Sequence, residues 1–249
     1  MAKANGIIQI EGTVDKLTFF KRDGKSFVRQ KGGVSKERIA SDPNFVRTRE
    51  NNNEFALCTA STKTLRLALG SLVFKAKDSR LSSRLLQAMY RIKNSDVTSV
   101  RGQRLVSIGL GTPAGKQELV GFNFNINAPL QGVLFAPYTL DTVHGDITIA
   151  NLIPAEQFLF PQGATNVSLQ GAVLAIDFAT EASELVLTNL QNIPIDLVST
   201  SIFLTPTSMP VSTGVTLFLL MISFYQEVNG VQYSLKNEDY NVLNVLAVV

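Results

Sequence analysis

Two kinds of hydrophobic periodicity divide this chain. Near the N-terminus Leu17, Phe19 and Lys21 alternate with Thr18, Phe20 and Arg22, and Asp23-Gly24 leads into Lys25, Ser26, Phe27, Val28 and Arg29. Alternation on both sides of Asp-Gly predicts a β-hairpin, because a tight primed turn needs positive φ at both central residues. Helical spacing follows. Asp42-Pro43 joins an N-cap residue to proline at the first helical position. Leu65, Leu69, Leu72 and Ala76 recur at intervals of 4, 3 and 4 residues, the stripe of an amphipathic helix. Ser79 is placed to cap a further helix carrying Leu81, Leu85, Ala88 and Ile92 on one face. These helices are expected to pack together and cover the hairpin.

From residue 119 the period changes to that of strands. Phe122, Phe124 and Ile126 alternate with Asn123, Asn125 and Asn127. Short apolar runs recur at 133–135, 147–149, 173–178, 185–187, 202–204, 215–224, 231–235 and 242–248. Prolines punctuate them, and Asn229-Gly230 marks a second tight hairpin. Many short strands with frequent turns predict a sandwich. The expected fold is α+β in two parts: an N-terminal β-hairpin plus helices, and a C-terminal all-β sandwich, immunoglobulin-like or jelly-roll. The expected division is a basic domain at 1–95, a linker at 96–118 and an acidic β domain at 119–249.

Charge sharpens that division. Residues 1–118 hold 22 of the 23 Lys and Arg against 10 of the 20 Asp and Glu, a formal excess of twelve positive charges. Residues 119–249 hold Lys236 as their one base beside the other 10 acids, an excess of nine negative charges. A split of this size points to two parts facing different partners, or each other in neighbouring copies. The candidate basic contact surface is Lys21, Arg22, Lys25, Arg29, Arg47, Arg49, Arg66, Arg80, Arg84 and Arg91. On one helix, Arg80, Arg84 and Arg91 would project within about 40° of one another. The candidate acidic surface is Asp177, Glu181, Glu184, Glu238 and Asp239.

Catalytic chemistry finds little support. His144 is the one histidine, beside Gly145-Asp146 in a turn, a poor place to lock an imidazole. Cys58 is alone, which excludes an intramolecular disulfide and a thiolate metal cluster. The glycine-rich run 109–116 fails the phosphate-loop template: Gly111 and Gly115 enclose three residues where four are needed, and Gln117 follows Lys116. Asn166-Val167-Ser168 matches the glycosylation pattern by chance. No catalytic residue, metal ligand or cofactor is expected.

The longest apolar stretch, 215–225, spans 11 residues where a bilayer span needs about 20, so a buried strand is expected. With no secretory signal at the N-terminus, the protein is expected in the cytoplasm, or released without a Sec signal. Hydrophobic content of 45% with 17% charged residues excludes disorder and favours burial against other subunits.

Several segments carry a resemblance. They are Asn5-Gly6-Ile7-Ile8, then Gly12 through Phe20, Gly32-Gly33-Val34, Arg38-Ile39-Ala40, Asp42-Pro43 and Arg47-Thr48-Arg49-Glu50-Asn51. Near the C-terminus Phe224-Tyr225-Gln226-Glu227-Val228-Asn229-Gly230 and Tyr240-Asn241 join them. The chain resembles a family of proteins of similar length encoded in Bacteroidetes genomes, for which no activity is established. That resemblance implies a lineage and a domain order, and no function. The function expected from the residues is non-enzymatic. Identical copies would assemble into a tube, filament, sheath or shell through complementary basic and acidic surfaces. The alternative is nucleic-acid binding by the basic half, as in a phage-like coat.

Overall fold

The computed structural model describes residues 2–3, 10–30, 32–235 and 240–249. The chain divides into two units, Met1–Arg49 and Glu50–Val249. In the first, β1 (Ala2–Lys3), β2 (Gly12–Val14), β3 (Leu17–Arg22) and β4 (Lys25–Gln30) form an antiparallel sheet in the order β1-β4-β3-β2. Asp23 and Gly24 make the β3–β4 turn with φ of 51° and 73°, the left-handed pair that Asp-Gly supplies readily. The chain then forms α1 (Lys36–Ser41), capped by the Ser35 hydroxyl, which accepts the Arg38 N–H. Asp42 accepts the Asn44 N–H and caps a short 3₁₀ turn, Pro43–Phe45, that leads into α2 (Val46–Leu69). None of the described residues of 10–49 is buried.

The second unit continues α2, which ends at Gly70 with a φ of 48°. It adds α3 (Ser71–Lys75), α4 (Leu81–Asn94), α5 (Val106–Leu110), α6 (Pro113–Gln117) and α7 (Leu130–Val133). Next come β5 (Thr139–Leu140), β6 (Ile147–Leu152), α8 (Pro154–Gln157), β7 (Asn166–Ile176) and β8 (Ser183–Pro194). The last elements are β9 (Thr200–Leu204), β10 (Val215–Val228), β11 (Val231–Ser234) and β12 (Val242–Val248). One antiparallel sheet runs β11-β10-β7-β8, with β12 also paired to β10; a second runs β5-β6-β9. The architecture is therefore α+β in two parts. Its strands beyond residue 119 form two facing sheets, as the period-2 pattern predicts.

β7 and β10 explain the layering. Their side chains are buried on both faces, so each face needs its own cover. On one face Ala172, Leu174, Ile176, Leu217, Leu219, Met221, Leu243 and Val245 pack with the helical residues Cys58, Leu65, Leu69, Leu85, Met89, Ile92 and Leu110. On the other, Val167, Leu169, Leu220, Ile222 and Phe224 pack with Ile147, Ile149, Ile202 and Leu204 of the smaller sheet and with Leu130 and Val133. Each Val, Leu, Ile, Phe or Met among them contributes about 1.5–3 kcal/mol on burial. Every residue of the Leu65–Ala76 and Leu81–Ile92 stripes named above is buried.

Three local expectations change. First, the division lies at Arg49/Glu50 and not at 96–118. Residues 96–118 carry the helices α5 and α6 and lie within the second unit, with Val106, Leu110 and Gly115 buried. Their glycines serve close approach: a Cβ on Gly109 would sit 2.1 Å from the Ile92 carbonyl oxygen, and one on Gly115 2.0 Å from that of Gly109. Second, Phe122, Phe124 and Ile126 belong to no regular strand. Gly121 and Phe124 donate N–H bonds to Val245 and Leu243 (2.7 and 2.8 Å), and an isolated bridge joins Asn123 to Asn244. Third, Arg80 and not Ser79 stands at the N-cap of α4, its N–H held by Asp78 at 2.6 Å.

The steric reading of 109–116 has a direct check. Gly109→Ala should lower stability by roughly 2 kcal/mol or more, since backbone must move to admit the methyl group. Urea denaturation reads this as a lower midpoint; an unchanged midpoint would show that the glycine serves something other than packing.

Candidate interaction surfaces

The strongest electrostatic feature is buried and internal. Glu54 is 2% exposed and accepts from the Arg104 guanidinium at 2.7 and 2.9 Å, from the Gly102 N–H at 2.9 Å and from the Lys93 ammonium. The Arg104 bonds hold its carboxyl at about 2 against the cost of burial, with Lys93 and Gly102 assisting. Asp96 is lowered too: burial opposes ionisation, but N–H bonds from Leu105 and Ser99 and the Thr98 hydroxyl outweigh it. Cys58 lies nearby, and burial pushes its thiol up to about 11. A thiol held protonated is a poor nucleophile. Every charged group here is satisfied by a neighbour, which is the signature of a structural cluster.

The remaining acids and bases sort into engaged and open ones. Arg84 donates to Asp78 and to the carbonyls of Asn123 (2.8 Å) and Phe124 (3.0 Å), tying α4 to the segment before α7. Arg91 pairs with Glu118 at 2.5 Å, and Arg49 donates to the carbonyls of Ile39 and Asp42. Arg80 is exposed but stands outside the helix. So Arg80, Arg84 and Arg91 do not form one free stripe, although Arg84 and Arg91 share a cavity of about 310 Å³ with Gln87, Phe122 and Asn123. Arg47 is exposed, with an interaction of its own. His144 sits in an exposed turn, where hydrogen bonding to Asp141 at 2.6 Å raises its pKa.

Comparisons with known protein families, curated proteins and solved structures find no match. Function therefore rests on the surfaces.

In the first unit, register sorts the hairpin's side chains. Pairing Phe19 with Val28 and Leu17 with Val14 puts those four on one face. Val14 and Leu17 are 56% and 45% exposed there. The opposite face holds Phe20 and Phe27, stacked at 5.8 Å, with the Arg29 guanidinium 5.3 Å from the Phe20 ring centre. Arg22 and Lys25 pair on that face, while Lys21 projects from the first.

In the second unit, α2 and α3 expose Leu67 (69%) and Phe74 (67%). Lys63, Arg66 and Lys77 line the same depression of about 230 Å³, with the Lys77 ammonium 4.8 Å from the Phe74 ring centre. Composition alone picked out Arg66 and missed the other four. Their signal was available: Leu67 and Phe74 fall off the Leu65/Leu69/Leu72 stripe. Of the acids, Asp177 accepts from the Ala179 N–H and the Thr180 hydroxyl, and Glu184 from the N–H groups of Val211 and Ser212. Glu181 is exposed at the tip of the β7–β8 turn with a φ of 61°. Glu238 and Asp239 lie outside the described residues. Among the described residues, no helix is long and apolar enough to cross a membrane.

The buried cluster makes stability pH-dependent in a defined direction. Glu54 has its folded pKa depressed, so its contribution is present above about 4.5 and lost as pH falls toward about 2. Glu54→Gln should flatten that part of the stability–pH curve. It should also cost about 3–5 kcal/mol at pH 7 by leaving Lys93 and Arg104 uncompensated. Thermal unfolding between pH 7 and 3 measures both; parallel curves for the two proteins would remove Glu54 from the account.

Proposed function

We propose that this chain is a non-enzymatic structural protein whose copies assemble with one another into a polymer such as a tube, filament, sheath or shell. The observation that carries this reading is the first unit. It has ordered strands with an apolar face at Val14, Leu17, Phe19 and Val28, yet none of its described residues between 10 and 49 is buried. A sheet this small gains stability by covering such a face. A neighbouring copy provides the cover. The charge split adds orientation, since unlike charges steer copies together and like charges exclude wrong contacts. The internal use of Glu54, Asp96, Arg84 and Arg104 supports a non-catalytic role, because these groups are spent on the fold.

Sedimentation velocity across protein concentration tests the reading. Mass should rise with concentration, and added salt should weaken association partly, because apolar burial persists when charges are screened beyond about 8–10 Å. Replacing Val14 and Leu17 together with Ser should shift the association by about tenfold or more in concentration. A monomer at every concentration and salt would overturn the proposal.

A second reading, single-stranded nucleic acid on the opposite hairpin face, is favoured by the Phe20/Phe27 stack with Arg22, Lys25 and Arg29 beside it. Stacking platforms ringed by cations bind bases without sequence preference. Fluorescence anisotropy with a labelled single-stranded oligonucleotide should then show salt-sensitive binding that Phe20→Ala weakens by about fivefold or more. No binding at low salt would dismiss it.

A further inference from the structure

Leu67 stands where two depressions meet. One, of about 230 Å³, is lined by Lys63, Arg66, Val73, Phe74 and Lys77; the other, of about 200 Å³, by Thr64, Ala68, Glu181 and Ser183. Both include Leu67. Among the described residues Lys63, Arg66 and Lys77 have no ion pair, and Glu181 has no hydrogen-bond partner. Asp177 and Glu184 flank Glu181 on the β7–β8 turn, and residues 177–184 contain no base. An uncharged apolar centre thus separates a three-cation side from the open carboxylate of Glu181, while Asp177 and Glu184 beside it are engaged by N–H and hydroxyl groups of their own.

From this geometry we infer that the Leu67 surface is a two-fold contact between copies of the chain. Rotation by 180° about an axis near Leu67 lays each copy's Lys63/Arg66/Lys77 side on the other's Glu181 turn. Leu67 and Phe74, exposed in one copy, are buried between two. Such a contact is isologous: the same patch serves both partners, and each cross-pair occurs twice. A patch of one sign would instead need a separate complementary partner. The inference rests on the self-assembly reading and specifies one of its interfaces. A closed two-fold contact here, combined with the uncovered sheet face of the first unit, gives each copy two different contacts, the minimum for growth beyond a dimer.

A mixing experiment on the full chain tests the contact. Arg66→Glu and Glu181→Lys each place like charges across it twice, so each variant alone should associate about tenfold or more weakly than wild type. Mixed in equal amounts, the two should recover association. In a mixed pair Glu at 66 faces Lys at 181, and the native Arg66 and Glu181 face each other in the second cross-pair. Recovery on mixing is not expected from misfolding or from a general change in net charge. Wild-type chain that associates alongside unaffected single variants, or weakened variants that mixing does not restore, would overturn the Leu67 contact and leave self-assembly standing. Wild-type chain that stays monomeric throughout overturns both. If Arg66→Glu loses a bound oligonucleotide while association is unchanged, the cations face phosphates and this assignment fails.

Discussion

The structure depends on burying β7 and β10 on both faces. Two long neighbouring strands whose apolar side chains point to both sides cannot leave either face to water. The helices α2 to α5 cover one side and the β5-β6-β9 sheet the other. This demand brings basic helices and acidic strands into one folded unit. It also explains why charged groups are drawn inward: Glu54 on α2 meets Lys93 on α4 and Arg104 in the loop before α5, so the helical layer is pinned by ions where side-chain packing alone leaves polar groups buried.

Much of this was legible in the sequence, and the failures have physical causes. Asp23-Gly24 and Asn229-Gly230 were readable because tight hairpins demand positive φ and few residues supply it. The Leu65–Ala76 and Leu81–Ile92 stripes were readable because one apolar face per helix leaves a period. The division at Arg49 was not readable, since it falls within the span of α2 and no composition change marks it. Gly109 and Gly115 were misleading because glycine marks both open loops and backbone contact, and only the neighbour decides. The Phe122–Ile126 alternation imitates a strand, but Phe124 and the adjacent Asn125 are both buried while Ile126 is exposed, so this segment beside β12 follows no two-residue period and makes only an isolated bridge.

Charge was legible in bulk and illegible in detail. The split between halves is a property of composition, but Arg84, Arg91 and Arg104 find partners that only the fold brings near. Among the described residues, those that stay without an ion pair include Lys21 and Lys25 on the hairpin, Lys63, Arg66 and Lys77, and Glu181. These lie beside apolar side chains that folding leaves exposed. Exposed apolar groups bordered by free charges are what an association surface needs, burial for affinity and charge for orientation. Neither property alone would distinguish these patches from ordinary surface.

Hydrogen exchange of the full chain at low and high protein concentration is the most direct test that copies complete one another's surfaces. The account predicts slow exchange in β7 and β10 at both concentrations, with protection of β2–β4 and of the α2–α3 segment around Leu67 and Phe74 rising only at high concentration. Exchange in those segments that is identical at every concentration would contradict it.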